Sequence, residues 1–279
     1  MTRDPKLSTL YGLKYNPFLA DIPIDALRTS GIIESFVSRC ESHMTEGGFA
    51  LLTGVPGLGK SVTLRLLAAR LSRQRDVLVR TITYPQCRIG DFYRELGDAF
   101  SVPLSWSNRW GSFKTAREKW QEHLETTNTR PVLIIDEAQE VLPAVLRELR
   151  LLTSKDFDSR SLLFVVLAGD LRLLDNLRHP DLLPLESRLR TRVRLEPESV
   201  AELTACLRHV LERAGNAQLL TNGALSALVE HAAGNPRSMM MLGNDLLHAA
   251  TDRDLRQIDE KLFFEVFAPT IQKPERKRR

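Results

Sequence analysis

The sequence predicts an α/β fold with a central parallel sheet, followed by a smaller all-helical domain. Three stretches lead to that expectation. An apolar run at 49–52 ends in a glycine-rich loop and passes into a helix-like segment reaching about residue 72. A second apolar run within 131–135 stops abruptly at two carboxylates, Asp136 and Glu137. Runs apolar at every residue suit parallel strands buried on both faces. From Glu198 onward only the helical period remains, at 199–213, 222–233, 236–250 and 259–267. The expected domains are an N-terminal arm (1–29), an α/β nucleotide-binding domain (30–197), a helical lid (198–268) and a basic tail (269–279).

The glycine-rich loop reads Gly54-Val55-Pro56-Gly57-Leu58-Gly59-Lys60-Ser61, with Val62 next in the helix. It matches G-x-x-x-x-G-K-[ST] in the strand-to-helix setting that the motif needs. Its glycines let backbone N–H groups close around a phosphate, and the following helix points its positive end at the same anion. Lys60 is expected to reach the β- and γ-phosphates and Ser61 to hold Mg²⁺. Ligands of open parallel sheets bind beyond the strand C-termini, which is where Asp136 and Glu137 fall. Asp136 is expected to bind Mg²⁺ through its water shell, and Glu137 to orient and deprotonate the attacking water. A phosphate loop alone occurs in kinases and transporters; the added acidic pair points to hydrolysis, with ATP and Mg²⁺ as cofactors.

Composition excludes little else. At 43% hydrophobic and 27% charged, the chain is an ordinary globular sequence. No apolar run spans a bilayer, and the polar N-terminus has no signal-peptide core. Cys40, Cys87 and Cys206 lack metal or disulfide spacing, which suits reduced thiols in the cytoplasm, without a membrane partner. The histidines are scattered, so no metal site made of side chains alone is expected. Residues 273–279 carry five positive charges and one negative, the whole of the net +4. The tail is either a disordered solubilising end or a DNA contact.

Along the chain, residues 1–10 show little pattern and are expected to be mobile. Tyr11, Tyr15 and Phe18 want burial, by packing of the arm or beside an adenine ring. Helices are expected at 30–46, from about Ile89, and at 113–125, 141–152 and 171–177. Residues 76–84 and 161–167 read as strands, the latter delivering Asp170 to the same edge as Asp136. The loop 101–110, with Trp106, Arg109 and Trp110, is expected to tuck onto its own domain in preference to forming a nucleic-acid surface. Arg188, Arg190, Arg192 and Arg194 alternate at period two, which fits a solvated basic edge strand or one arginine reaching a neighbouring subunit's γ-phosphate. Arg237 lies in the first turn of a helix capped by Asn235, with Pro236 at its first position. A cation there opposes the dipole, so it is placed for an external anion.

These segments together resemble an AAA+ ATPase with a P-loop NTPase fold, and more narrowly the ExeA/TniB/TnsC group of bacterial ATPases. The similar stretches are 11–18 (YGLKYNPF), 54–61, 133–139 (LIIDEAQ), 146–154 (LRELRLLTS), 162–169 (LLFVVLAG) and 234–237 (GNPR). The resemblance implies that Asp136 and Glu137 are the Walker B pair, Arg188 an arginine finger acting in trans, and Arg237 sensor 2. Asp170 stands where relatives carry glutamine or threonine as sensor 1; a carboxylate orients water but donates only when protonated. Secretion-type members usually carry a transmembrane segment and a cell-wall-binding extension, and this chain stops at 279 with neither. The expectation is therefore a transposition-type ATPase, oligomerising as a ring or helical filament on double-stranded DNA. Its partners would be a transposase and a target-selection protein. DNA contacts are expected after the 77–84 strand and around residues 147–160.

Overall fold

The computed structural model describes residues 5–82, 85–157 and 159–267, which divide into two compact units. One joins Met1–Arg28 to Pro197–Arg279; the other is Thr29–Glu196. The chain opens in the first of these with a helix, α1 (Pro5–Tyr11), where the sequence suggests a mobile end. Leu7 and Tyr11 are buried on this short helix, and that docking explains its order.

The α/β unit begins at α2 (Gly31–Met44), capped by the Ser30 hydroxyl accepting from Ile33 N–H. It continues through β1 (Gly48–Thr53), α3 (Lys60–Leu71), β2 (Val77–Ile82), α4 (Ile89–Phe100), α5 (Arg109–Thr126) and β3 (Arg130–Ile135). A 3₁₀ turn at Ala138–Glu140 leads to α6 (Pro143–Thr153), then β4 (Ser154–Lys155), β5 (Arg160–Ser161) and β6 (Phe164–Gly169). It ends with α7 (Arg172–Leu177), α8 (Leu183–Glu186) and β7 (Leu189–Arg194).

Five parallel strands form the sheet in the order β2-β3-β6-β1-β7. Successive side chains face opposite sides, so each inner strand feeds two cores. Phe49, Leu51, Leu133, Ile135, Val165 and Leu167 join the core with α4, α5 and α6. Ala50, Leu52, Val132, Ile134, Phe164 and Val166 join the core with α2 and α3. On the edge strand β7, Thr191 is buried while Arg190, Arg192 and Arg194 are exposed on one face. They pair with Glu46, Glu186 and Glu196 respectively. That is the solvated basic edge, and it accounts for three of the four alternating arginines.

Two expectations for this unit need correction. The strand expected at 161–167 is Phe164–Gly169; Arg160–Ser161 instead pairs antiparallel with Ser154–Lys155. The reversal uses Asp156 and Phe157 at positive φ without a glycine to announce it. The 101–110 loop does tuck onto its domain through Val102 and Leu104, but its tryptophans do not: Trp106 is 64% exposed and Trp110 74%. Asn108 caps α5, so the helix starts earlier than 113. Arg109 turns onto the buried Glu148 (2.5 and 2.9 Å), which also accepts from Tyr93 Oη at 2.6 Å. Burial alone would push the Glu148 carboxyl up; the Arg109 and Tyr93 hydrogen bonds overcome it and hold it below the usual range.

The helical unit comprises α9 (Val200–Ala214), α10 (Asn222–Ala232), α11 (Pro236–Asp252) and α12 (Glu260–Phe267) with the N-terminal arm. Ser199 and Glu202 form a capping box, and Thr221 and Asn235 cap the next two helices. Tyr11, Leu13 and Phe18 lie in this unit's core, so the aromatic arm packs as an arm. Of the three consecutive methionines only Met239 is fully buried, and Met241 is exposed. The basic tail lies outside the described residues.

Phe18 rests against a glycine of α11. A Cβ at Gly243 would come within 2.4 Å of the Phe18 ring. Gly243→Ala is therefore expected to cost about 1–3 kcal/mol through overpacking, measured as a lower thermal midpoint. Phe18→Leu in the same chain should recover part of the loss; full additivity would remove this contact as the cause.

Candidate active site

Register brings the site together. Thr53 on β1 lies opposite Gly169 on β6, and Ile135 on β3 lies opposite Leu167. The chain therefore leaves three neighbouring strands at one edge, into Gly54, Asp136 and Asp170.

After β1 the loop is anchored at both ends. A Cβ at Gly54 would lie 2.9 Å from the Leu195 carbonyl, so the loop's first residue passes too close to the end of β7 for a side chain. Leu58 is buried in the α2–α3 core, while Val55 and Pro56 face out. Gly57 and Gly59 both adopt φ 92°, a left-handed conformation that suits glycine. A Cβ on Gly59 would meet nothing within 4 Å, so its outer side is open. Val62 follows in the first turn of α3, and the Thr63 hydroxyl donates to the Gly59 carbonyl at 3.0 Å.

Lys60 begins α3 and is only 7% exposed; its Nζ donates to the carbonyls of Gly54 (2.9 Å) and Val55 (3.3 Å). The amine is thus held over the loop that it would serve. Ser61 Oγ donates to Asp136 Oδ2 at 2.7 Å, and Asp136 Oδ1 accepts from Glu137 N–H at 2.9 Å. Glu137 has φ 50°, left-handed for a non-glycine residue, and is exposed. Its carboxylate accepts from Gln139 Nε2 at 2.6 Å.

Asp170 joins the same edge. Arg172 donates from Nε and from its backbone N–H to Asp170, and from Nη2 to Glu140, each at 2.8–2.9 Å. Arg172 holds the Asp170 carboxyl below the usual carboxylate range. An ionised Asp170 accepts hydrogen bonds and donates none.

Within this unit, Arg188 is not brought to the cluster. Arg188 precedes β7 and donates to the Pro184 carbonyl, while its own carbonyl accepts from Phe49 N–H at the start of β1. That is the sheet edge opposite the loop, about 17 Å away along β1 at the usual rise per residue. Arg237 is exposed in the first turn of α11, where Asn235 Oδ1 accepts from Arg237 N–H at 3.0 Å; it belongs to the helical unit. Gln139 and Arg172 were not singled out from sequence. Their signal is an amide and a guanidinium just after the two strand-end acids, but their partners depend on which strands are neighbours.

The residues fit a nucleoside triphosphate with Mg²⁺. Positive-φ glycines shape a loop around an open face, a helix N-terminus and a lysine supply positive charge, and a hydroxyl and a carboxylate stand 2.7 Å apart as oxygen ligands. Among the described residues, no helix is long and apolar enough to cross a membrane.

Comparison with known proteins agrees with this geometry. A family model described as an AAA domain matches residues 43–177. General secretion pathway protein A of Aeromonas hydrophila is 34% identical over 216 residues, which is 76% of this chain and 39% of that protein. Among solved structures, ORC2 of Aeropyrum pernix in its ADP form superposes with a TM-score of 0.72 at 15% identity, over 91% of this chain and 72% of its own. Cdc6p of Pyrobaculum aerophilum gives 0.69 at 15% identity, over 87% and 67%. RuvB of Thermotoga maritima gives 0.59 at 18% identity, over 86% and 68%. The chain therefore has the P-loop AAA+ fold, and its residues 43–177 match the AAA domain family.

Proposed function

We propose that the chain converts ATP and water to ADP and phosphate, with Mg²⁺, as a homo-oligomer. The meeting of Lys60, the Ser61–Asp136 pair and Glu137 at one sheet edge supports this reading. The backbone amides of residues 54–62 and the Lys60 amine bind the phosphates. Ser61 and Asp136 would hold Mg²⁺, which would supply positive charge against the developing negative charge of the phosphates. Glu137 orients a water and takes its proton as the water oxygen bonds to phosphorus and the bond to the ADP oxygen breaks. Asp170, kept ionised by Arg172, serves as an acceptor for that water. Arg188, set at the opposite sheet edge, acts on a neighbouring subunit's γ-phosphate, and Arg237 on the nucleotide phosphates as sensor 2.

For the output, we favour assembly on double-stranded DNA and control of a transposase. The sequence resemblance to the transposition ATPases, the basic residues 273–279 and the exposed Trp106 and Trp110 beside Arg109 support it. The expected DNA-contact loop after β2 includes residues 83–84, outside those described. Within 147–160, Arg147 is paired with Asp181 at 2.6 Å. A second reading, assembly of a secretion complex in the cytoplasm or at the envelope, is favoured by the 34% identity to General secretion pathway protein A.

Lys60→Ala should weaken ATP binding by about 10- to 100-fold, the loss of a charge-assisted contact, seen with a fluorescent nucleotide; unchanged affinity would refute the site. Glu137→Gln should bind ATP normally yet turn it over about 100-fold more slowly or worse, in a phosphate-release assay. Arg188→Ala should lose hydrolysis in the assembled protein while the monomer keeps its ATP affinity. Electron microscopy and DNA binding with ATP, ADP or no nucleotide separate the outputs. ATP-dependent rings or filaments on DNA support transposition. No DNA affinity at low salt, with envelope-protein association instead, supports secretion.

A further inference from the structure

Gln139 connects two segments of the site that lie far apart in sequence. Its side chain is buried, and Nε2 donates to Glu137 Oε2 at 2.6 Å. Its Oε1 accepts from Asp170 N–H at 3.0 Å. These partners fix the amide's orientation, because a carboxylate only accepts and a backbone N–H only donates. The Gln139 backbone is held too: Asn176 Nδ2 donates to its carbonyl at 3.3 Å. Room for the amide comes from Gly169. A Cβ there would lie 2.5 Å from Gln139 Oε1 and 3.2 Å from Gln139 N, so any larger residue at the end of β6 would displace it.

Glu137 is exposed on a left-handed turn, and an exposed glutamate has several staggered rotamers open to it. The Gln139 hydrogen bond selects one of them. We infer that Gln139 is a positioning residue that aims the Glu137 carboxylate and ties its aim to the end of β6. This rests on the reading of Glu137 as the base for ATP hydrolysis. A purely structural clamp would need only the bond to Asp170 N–H. The positioning role needs the donor toward Glu137, and the two bonds can be separated by substitution.

Gln139→Met keeps length and removes both bonds. Gln139→Glu keeps an acceptor for Asp170 N–H; two carboxylates this close raise one another's titration, and only above that raised range is the donor lost and a like charge set beside Glu137. The full chain is assayed above that raised range for steady-state ATPase, binding of a non-hydrolysable ATP analogue, and thermal midpoint. Both variants should lower kcat by about 10- to 100-fold, with KM and analogue affinity within about twofold, as a small misplacement of a catalytic group does. Wild-type kcat in Gln139→Glu would overturn the proposal, whatever Gln139→Met does. If Gln139→Met melts too low to assay, Gln139→Asn, one methylene short at both ends, should show the same kcat loss; normal kcat there overturns it equally. Adding Gln139→Met to Glu137→Gln should slow the residual turnover no further; an independent second loss would count against it. Glu137→Gln alone separates the two readings. If it retains turnover, the assignment of Glu137 as base fails, and this role with it. If it stops turnover while the Gln139 variants do not, only the positioning role fails.

Discussion

The parallel register of β3, β6 and β1 is the constraint on which the site depends. Each strand is apolar on both faces and supplies alternate residues to two separate cores. Slipping one strand by a residue would exchange its two faces at once, swapping Phe164 and Val166 for Val165 and Leu167. Residues of different shape then meet the wrong helices, and close-packed cores do not absorb such changes cheaply. The register so imposed puts Gly54, Asp136 and Asp170 at one edge and leaves Ser61 and Asp136 within hydrogen-bond distance. Core packing thus sets polar geometry a few residues beyond the last buried side chain.

At that edge the backbone adopts conformations that would be unfavourable elsewhere. Glu137 is left-handed, at a cost on the order of 1–3 kcal/mol. Asp136 offsets part of it, because its Oδ1 accepts from Glu137 N–H while Oδ2 accepts from Ser61. One acceptor-only side chain shapes the turn and engages the loop. A neutral amide in its place would have to turn an N–H₂ toward one donor and lose that contact.

What could be read in advance follows from how local each cause is. Buried strands, the glycine-rich loop and the long C-terminal helices declare themselves within a dozen residues, through period and capping. Ser199, Thr221 and Asn235 mark helix starts that the structure places within a residue of expectation. The helix at Pro5–Tyr11 is too short to show a period, and its order comes from Leu7 and Tyr11 docking onto distant helices. The reversal at Asp156–Phe157 hides because no glycine marks it and Phe157 is not a usual left-handed residue. Trp106 and Trp110 suggest burial by type, yet Trp120 fills the core position on α5 while Arg109 is turned to Glu148. Gln139 was missed for the same reason: its partner at residue 170 is adjacent only through the β3–β6 pairing.

The arginines around β7 separate by the same reasoning. Arg190, Arg192 and Arg194 each have a carboxylate partner on the exposed face of an edge strand, so local electrostatics accounts for all three. Arg188 lies before the strand, in the turn after α8, and the alternation that includes it is a coincidence of spacing. Its backbone pairs with Phe49, at the start of the strand whose far end carries the phosphate-binding loop. The length of β1, about 17 Å, exceeds the reach of an arginine side chain. Arg188 therefore does not reach the phosphate-binding loop of its own chain, and any γ-phosphate that it contacted would belong to another copy.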